Sequence, residues 1–126
     1  MPEHSAEAAG PEGLQIRMRS HTAGVVMYLQ GRINMESSPG LRDHLLALLR
    51  RTSPPESIAV DVAAVSYMDT SAIATLVEAL KIARLGGIRM HLQGLQGRML
   101  HLFQATGIGS LFDKSVSESR SAPLVP

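Results

Sequence analysis

The chain has 126 residues and a mass of 13.5 kDa, which is the size of one ordinary domain. Its hydrophobic content of 44% is enough for a core, and 12 Lys and Arg against 11 Asp and Glu leave a net charge of +1. This balance lacks the basic surplus that drives binding to nucleic acid or anionic membranes, so neither partner is expected. The absence of cysteine excludes disulfides, thiolate metal sites and a cysteine nucleophile.

The two ends of the chain differ in composition from the middle. Residues 1–13 are rich in Ala, Glu, Gly and Pro, residues 114–126 are rich in Ser and Pro, and both lack apolar periodicity. We therefore expect two flexible tails around a domain of residues 14–113. The N-terminus has neither the basic start nor the apolar run of a signal peptide, and no segment has the roughly 20 apolar residues of a membrane helix. These features predict a cytoplasmic protein.

A hairpin and a helix are predicted first along the domain. Residues 14–18 alternate between apolar and polar, and a second apolar run begins at Gly24, which favours an antiparallel hairpin. Ser38 fits an N-cap with Pro39 at the first helical position. The apolar face of this helix consists of Leu41, Leu45, Leu48 and Leu49.

The second half of the domain alternates strands and helices. Residues 58–62 form an apolar run typical of a strand buried on both faces of a parallel sheet. Residues 73–83 have the spacing of an amphipathic helix, which Gly86-Gly87 is predicted to end as a left-handed C-cap. Residues 88–92 alternate as another strand.

One more helix is predicted from Met99 towards Thr106, with Gly107 closing it. Leu111-Phe112 is consistent with a last strand or a final turn. The order β-β-α-β-α-β-α predicts an α/β fold, in which helices pack against a mixed sheet that opens with a hairpin. Fold alone assigns no activity.

No assembled catalytic or metal site is recognisable in the sequence. There is no phosphate-binding loop and no nucleophile elbow. The histidines form no pair at metal-binding spacing; they are His4, His21, His44, His91 and His101. From the residues alone we therefore expect no assembled catalytic constellation and no metal or cofactor site.

Residues 65–73 carry the candidate regulatory site. They leave the predicted buried strand, lead into the second helix, and are expected to be polar and exposed. A helix start gathers backbone N–H groups and the positive end of the helix dipole, so a phosphoryl group on Thr70 or Ser71 would be tolerated there. Such a group adds about −1.5 to −2 charges and would disrupt an interface. The structural interpretation is that Asp69, Thr70 and Ser71 only cap the helix.

The same segment resembles the STAS domain family, specifically its stand-alone anti-sigma factor antagonists. Val60-Asp61-Val62 followed by Met68-Asp69-Thr70-Ser71-Ala72 is similar to the family's strand, loop and helix with a D-[ST]-[ST]-G core. The resemblance covers about residues 14–112. Three further motifs are similar to the family's pattern and occur in its order along the chain. They are Gly31-Arg32-Ile33-Asn34 (similar to G-x-[LI]-D), Gly86-Gly87, and Leu102-Phe103 ahead of Thr106-Gly107-Ile108.

The resemblance implies a STAS-type fold and a partner-switching function. Family members bind an anti-sigma factor that is also a serine kinase with a histidine-kinase-like ATPase fold, and the sigma factor is thereby released. Phosphorylation of the second hydroxyl residue in the core, Ser71 here, abolishes binding, and a serine phosphatase restores it. The resemblance thus implies that this chain is the substrate of a kinase and not itself an enzyme, and that ATP and Mg²⁺ belong to the partner. The partner-binding residues carried over from the motifs are Asn34, Asp69, Thr70, Ser71 and Ala72.

Two departures from the family pattern leave alternatives open. Ala72 replaces the usual Gly, and Asn34 replaces the usual Asp. One alternative is a STAS subunit held permanently by the ATPase of an ABC transporter in lipid trafficking, without phosphorylation. A stressosome-type or nucleotide-binding STAS module and an enzyme with a dispersed site are further alternatives. Thr70 also carries a hydroxyl, so the sequence leaves the choice of acceptor open.

Overall fold

Four strands and three helices follow one another along residues 13–107, the part of the chain that the computed structural model describes. Their order is the predicted β-β-α-β-α-β-α. The expected tails and the Leu111-Phe112 element lie outside the described residues, apart from Gly13. The elements are β1 (Leu14–His21), β2 (Gly24–Ile33), α1 (Ser38–Leu49), β3 (Ser57–Met68), α2 (Thr70–Leu85), β4 (Arg89–Gln93) and α3 (Gly97–Thr106).

The strands form one mixed sheet in the order β1-β2-β3-β4. β1 and β2 pair as the predicted antiparallel hairpin, whereas β2 with β3 and β3 with β4 are parallel. Because parallel strands end at the same edge of a sheet, the carboxyl ends of β2 and β3 lie side by side, and Ile33 pairs with Met68. The candidate site is built at this edge.

The core lies where alternate residues of the strands meet one face of each helix. In β2, Met27, Leu29 and Ile33 are almost fully buried, while Gln30 and Arg32 on the opposite face are exposed. The predicted apolar faces of α1 and α2 join the same buried cluster, and Phe103 of α3 is 1% exposed within it. Within residues 13–107 no helix has the length and apolar content needed to cross a bilayer.

The start of α1 differs by one residue from the prediction. Leu41 N–H donates the first helical hydrogen bond to the Ser37 carbonyl at 3.2 Å, so Ser37 is the N-cap and Ser38 is the first helical residue. Pro39 therefore lies second in the helix, where its missing N–H is not needed. The Ser38 hydroxyl contacts α2 instead of capping its own helix, which is why the cap prediction was wrong.

β3 is longer than the apolar run that predicted it. Two register shifts in its pairing with β2 let the strand continue to Met68, so a single residue separates it from α2. Val65 and Met68 return to the core face after these shifts and are 5% and 9% exposed. The prediction that residues 65–73 are an exposed loop is therefore wrong for the strand part of the segment.

The end of α2 confirms the predicted glycine cap. Gly86 ends the helix and Gly87 adopts the left-handed conformation with φ +74°. Ile88 N–H donates to the Ala83 carbonyl at 2.8 Å, and Gly87 N–H donates to the Arg84 carbonyl at 3.1 Å. These two bonds form a Schellman motif, which satisfies the last carbonyls of the helix and turns the chain into β4.

Two glycine substitutions test this backbone in opposite directions. A Cβ on Gly94, which has φ +85°, would lie 2.8 Å from the Ala63 nitrogen, whereas a Cβ on Gly40 in α1 would meet nothing within 4 Å. We expect Gly94→Ala to lower the free energy of unfolding by more than about 1 kcal/mol through strain and the close contact. Gly40→Ala should raise it by about 0.5–1 kcal/mol by restricting the unfolded helix segment. Urea denaturation measures both, and a Gly94→Ala variant as stable as the wild type would contradict the backbone described.

Candidate functional site

The candidate site lies where β2 and β3 end and where α1 and α2 begin. Asp69 N–H donates to the Ile33 carbonyl at 3.1 Å, which joins the ends of the two strands. Ser38 N–H donates to the Asn34 carbonyl at 2.8 Å, which joins the loop after β2 to the start of α1. We call residues 34–38 and 69–72 the junction.

Asp69 caps α2 with its side chain. Its backbone is extended, with φ −108° and ψ −171°, and Oδ1 accepts the N–H groups of Ser71 at 2.9 Å and Ala72 at 3.1 Å. These N–H groups belong to the first turn of the helix, where no preceding turn supplies a carbonyl for each of them. Ala72 N–H also lies 3.1 Å from the Asp69 carbonyl oxygen, so its hydrogen bond is shared between two oxygens of Asp69. Asp69 is therefore a helix cap, as the structural interpretation predicted for it, and the same carboxylate oxygen also contacts the hydroxyl of Ser71.

The Ser71 hydroxyl is held in two directions. Its Oγ lies 2.6 Å from Asp69 Oδ1 and 2.9 Å from Ser38 Oγ. Ser71 is half-buried, Thr70 beside it is exposed, and Ser38 is 5% exposed. The Ser71 hydroxyl is thus held at the surface by two neighbours, Asp69 at the start of its own helix and Ser38 in α1.

The hydrogen bonds at Asp69 keep its carboxyl ionised. The bond from the Ser71 hydroxyl is the largest cause that lowers the pKa of Asp69 below its ordinary value. Partial removal from water opposes this, and the backbone N–H groups of Ala72, Ser71 and Met35 lower the pKa further. At neutral pH the junction therefore presents a negative charge directly beside the Ser71 hydroxyl.

Asn34 shapes the loop after β2. Its Oδ1 accepts the N–H groups of Glu36 at 3.0 Å and Ser37 at 3.1 Å, which closes an Asx turn. Ser37 Oγ donates to the Arg32 carbonyl at 2.8 Å and accepts the Asn34 N–H at 3.0 Å. An amide oxygen accepts these turn bonds as a carboxylate oxygen would, so Asn34 closes the turn without a negative charge.

The five carried-over residues occupy different depths of the junction. Asp69, Thr70 and Ser71 form the start of α2, and Asn34 lies in the neighbouring loop. Ala72 is 0% exposed and packs in the core, so its methyl group offers no surface to a partner. Its expected place among surface contacts is corrected to a supporting place beneath Ser71.

Sequence reasoning missed Ser38 as a member of the site. It assigned this residue to a helix cap, yet Ser38 lies three and seven residues before Leu41 and Leu45 on the apolar stripe of α1. That spacing turns Ser38 towards the packed face of the helix. The sequence signal for Ser38 is a hydroxyl group on the buried apolar face of α1, because a buried polar group needs a hydrogen-bond partner.

An ion pair joins the same two helices farther along. Arg42 Nε and Nη2 donate to the two carboxylate oxygens of Glu78, each at 2.9 Å. The pairing raises the pKa of Arg42 and lowers the pKa of Glu78. The side chains are 46% and 42% exposed, so water screens the pair and its effect is mainly to align α1 with α2.

An open, mainly apolar groove lies on α2 beyond the junction. It has a volume of about 410 Å³, and Leu85 at its far end is 90% exposed. At 100° per residue, Glu78, Ile82 and Leu85 lie on the same side of the helix as Ser71. The lining residues are Ala74, Val77, Glu78, Lys81, Ile82 and Leu85.

The described residues hold no cluster for a metal. Among residues 13–107, no three His, Cys, Asp or Glu side chains come together as possible ligands. What the junction offers chemically is a surface hydroxyl with a carboxylate and a second hydroxyl around it. Such a group can accept a phosphoryl group.

Comparison with known families agrees with this architecture. A model of the STAS domain matches residues 15–122. The chain belongs to the STAS domain family. The match spans every strand and helix of the described region after the first residue of β1, so both segments of the junction lie inside the matched domain.

Individual STAS proteins show the same likeness. The chain is 26% identical over 102 residues to the anti-sigma-B factor antagonist of Bacillus subtilis strain 168, which covers 81% of this chain and 91% of that protein. An anti-sigma factor antagonist from Mycobacterium paratuberculosis superposes with a TM-score of 0.68 at 18% identity, over 90% of this chain and 97% of the other. The Bacillus cell fate determinant SpoIIAA in its phosphorylated form superposes with a TM-score of 0.62 at 18% identity, over 76% of this chain and 86% of the other. The two structural matches show a shared fold.

The lowered pKa of Asp69 predicts a specific loss of stability in acid. Because this pKa is lower in the folded chain than in the unfolded chain, the contribution of Asp69 is full above the unfolded value of about 4 and is lost as the pH falls through the folded value. Asp69→Asn, which keeps a capping oxygen, should lose less stability than the wild type over this range. Ser71→Ala should raise the pKa of Asp69, so the free energy of unfolding of this variant should fall less in acid than that of the wild type.

Urea unfolding measured from neutral pH down to about pH 2.5 tests this expectation, and carboxyl carbon NMR follows Asp69 directly. Equal acid dependence of the wild type and Asp69→Asn would contradict the hydrogen-bonded carboxylate described here.

Proposed function

We propose that this STAS protein is an anti-sigma factor antagonist that binds an anti-sigma factor with serine kinase activity, and that phosphorylation of Ser71 ends the binding. The observation that carries the proposal is the Ser71 hydroxyl, held at the start of α2 by Asp69 and Ser38. The likeness to the Bacillus subtilis antagonist, which extends over 91% of that protein, supports the same function.

Phosphorylation at Ser71 would change the charge of the junction without a change of fold. The group adds about −1.5 to −2 charges at neutral pH. Asp69, whose carboxylate is already 2.6 Å from Ser71 Oγ, contributes a charge of the same sign. A partner surface that fits a neutral hydroxyl beside one carboxylate would then face two adjacent negative groups, and like charges in an interface are repulsive.

The partner surface in this proposal extends from the junction along α2. Thr70 is exposed beside Ser71, and the apolar groove continues as far as Leu85. An exposed apolar strip with a polar rim is typical of a protein-binding surface. Asn34 and Asp69 shape the polar end of this surface, and Ala72 supports it from the core.

In this proposal the chain is a substrate and a binding protein and not an enzyme. The kinase partner has a histidine-kinase-like ATPase fold and supplies ATP and Mg²⁺, while a serine phosphatase removes the phosphoryl group and restores binding. The chain makes no direct contact with nucleic acid. It acts in the cytoplasm, where sigma factors meet RNA polymerase.

Phosphomimetic baits test the proposed switch. We expect wild-type and Ser71→Ala baits to retain an ATPase kinase from extracts of the native cells, and Ser71→Glu to reduce its capture at least about tenfold because of charge in the interface. Ser53→Glu is the matched control, since it adds the same charge in the exposed loop at the opposite end of the sheet and should bind like the wild type.

Mass spectrometry of the retained proteins and phosphopeptides reads out the result. A Ser71→Glu bait that retains the kinase as well as the wild type does would contradict the switch. Capture of an ABC-type ATPase with no phosphopeptide would instead identify a transporter subunit in which Ser71 is a docking residue.

A charge in the α2 groove tests the extent of the partner surface. Leu85→Glu places a carboxylate at the exposed end of the groove, so it should weaken the captured kinase's affinity about tenfold or more while changing the free energy of unfolding by less than about 0.5 kcal/mol. Ala47→Glu, on the exposed side of α1, is the control. Calorimetric titration measures the affinity, and wild-type affinity of Leu85→Glu would limit the partner surface to the junction.

A further inference from the structure

The direction of the hydrogen bond between the two serines follows from a count of protons. Ser71 Oγ lies 2.6 Å from Asp69 Oδ1 and 2.9 Å from Ser38 Oγ. An ionised carboxylate only accepts, so the single hydroxyl proton of Ser71 lies in the bond to Asp69. The proton between the two serines is therefore that of Ser38, so the Ser38 hydroxyl donates this hydrogen bond and Ser71 Oγ accepts it.

Phosphorylation of Ser71 would remove its hydrogen bond to Asp69 but would leave Ser38 able to donate one. Ser71 Oγ forms a bond to the γ-phosphorus of the nucleoside triphosphate that the kinase holds, the bond from that phosphorus to the nucleoside diphosphate breaks, and the hydroxyl proton is released. Ser71 then has no proton to donate, so Asp69 loses a hydrogen bond and gains a like-charged neighbour. Ser38 keeps its proton, and phosphoryl oxygens are stronger acceptors than a hydroxyl.

We propose that Ser38 is a positioning residue for the phosphorylated state, whose hydroxyl turns from Ser71 Oγ to a phosphoryl oxygen and holds the group on the α1 side of the junction, away from Asp69. This inference rests on the proposed function, because it requires a phosphoryl group on Ser71.

The surroundings of Ser38 support this role. The residue is 5% exposed at the start of α1, so water competes little for its hydroxyl. The fully buried Leu41 and Leu45 anchor α1 in the core, and Ser38 N–H donates to the Asn34 carbonyl at 2.8 Å. Arg42 and Glu78 pair between α1 and α2 farther along. Ser38 therefore stays in place when the group beside it changes, and only its hydroxyl needs to rotate.

The test uses the full chain with phosphoserine genetically encoded at position 71, so no kinase is required. Phosphorus NMR follows the second ionisation of the phosphate. A hydrogen bond from Ser38 favours the dianion, so Ser38→Ala should raise this pKa by about 0.5 to 1. Asp69→Asn should lower it, because a like charge is removed.

Three further variants separate a hydrogen bond from packing. Ser38→Thr keeps the hydroxyl and should retain the wild-type pKa, while Ser38→Cys, a weak donor of similar size, should raise it as Ser38→Ala does. Thr75→Val removes another buried hydroxyl, one turn farther along α2, and should leave the phosphate pKa unchanged. Proton–nitrogen correlation spectra confirm that each variant is folded.

A phosphate pKa in both Ser38→Ala and Ser38→Cys equal to that of the wild type would overturn the proposal. Should Ser38→Ala fail to fold, Ser38→Cys carries the test alone. Failure of the proposed function is a separate result, since an absence of phosphate on Ser71 in cells would leave this titration unaffected.

Discussion

The hydrogen bond from the Ser71 hydroxyl to the Asp69 carboxylate is the contact on which the candidate site depends. Asp69 is the only residue between β3 and α2, so its backbone is fixed by the sheet on one side and by the helix on the other. Its carboxylate caps the helix and holds the Ser71 hydroxyl with the same oxygen. The position of Ser71 at the surface thus follows from the strand pairing beneath it.

This arrangement makes the junction sensitive to charge. The pKa of Asp69 is lowered chiefly by the bond from Ser71, so the carboxylate is ionised beside the hydroxyl at neutral pH. A phosphoryl group on Ser71 would place a second negative group there. Under the proposed function, this charge switches binding at the surface while the core and the sheet remain as they are.

Much of the fold could be predicted because its signals are local. Apolar periodicity predicted the order of the elements, and Gly87 predicted the end of α2, since a left-handed cap needs only neighbouring residues. The length of β3 could not be predicted because it depends on pairing with β2 across two register shifts.

Of the candidate site, only the contacts between residues close in sequence could be predicted. The motif pointed to Asp69 and Ser71, which are close in sequence. Ser38 was assigned to a cap because its contact with Ser71 joins residues 33 positions apart, and Ala72 was expected among surface contacts although it is buried.

Phosphopeptide mapping of the unaltered protein from its native cells tests the central claim most directly. Thr70 and Ser71 are adjacent, but only the Ser71 hydroxyl is held by both Asp69 and Ser38. We predict that fragmentation spectra place the phosphate on Ser71 and not on Thr70. A phosphate on Thr70, or an unmodified peptide under every growth condition sampled, would contradict it.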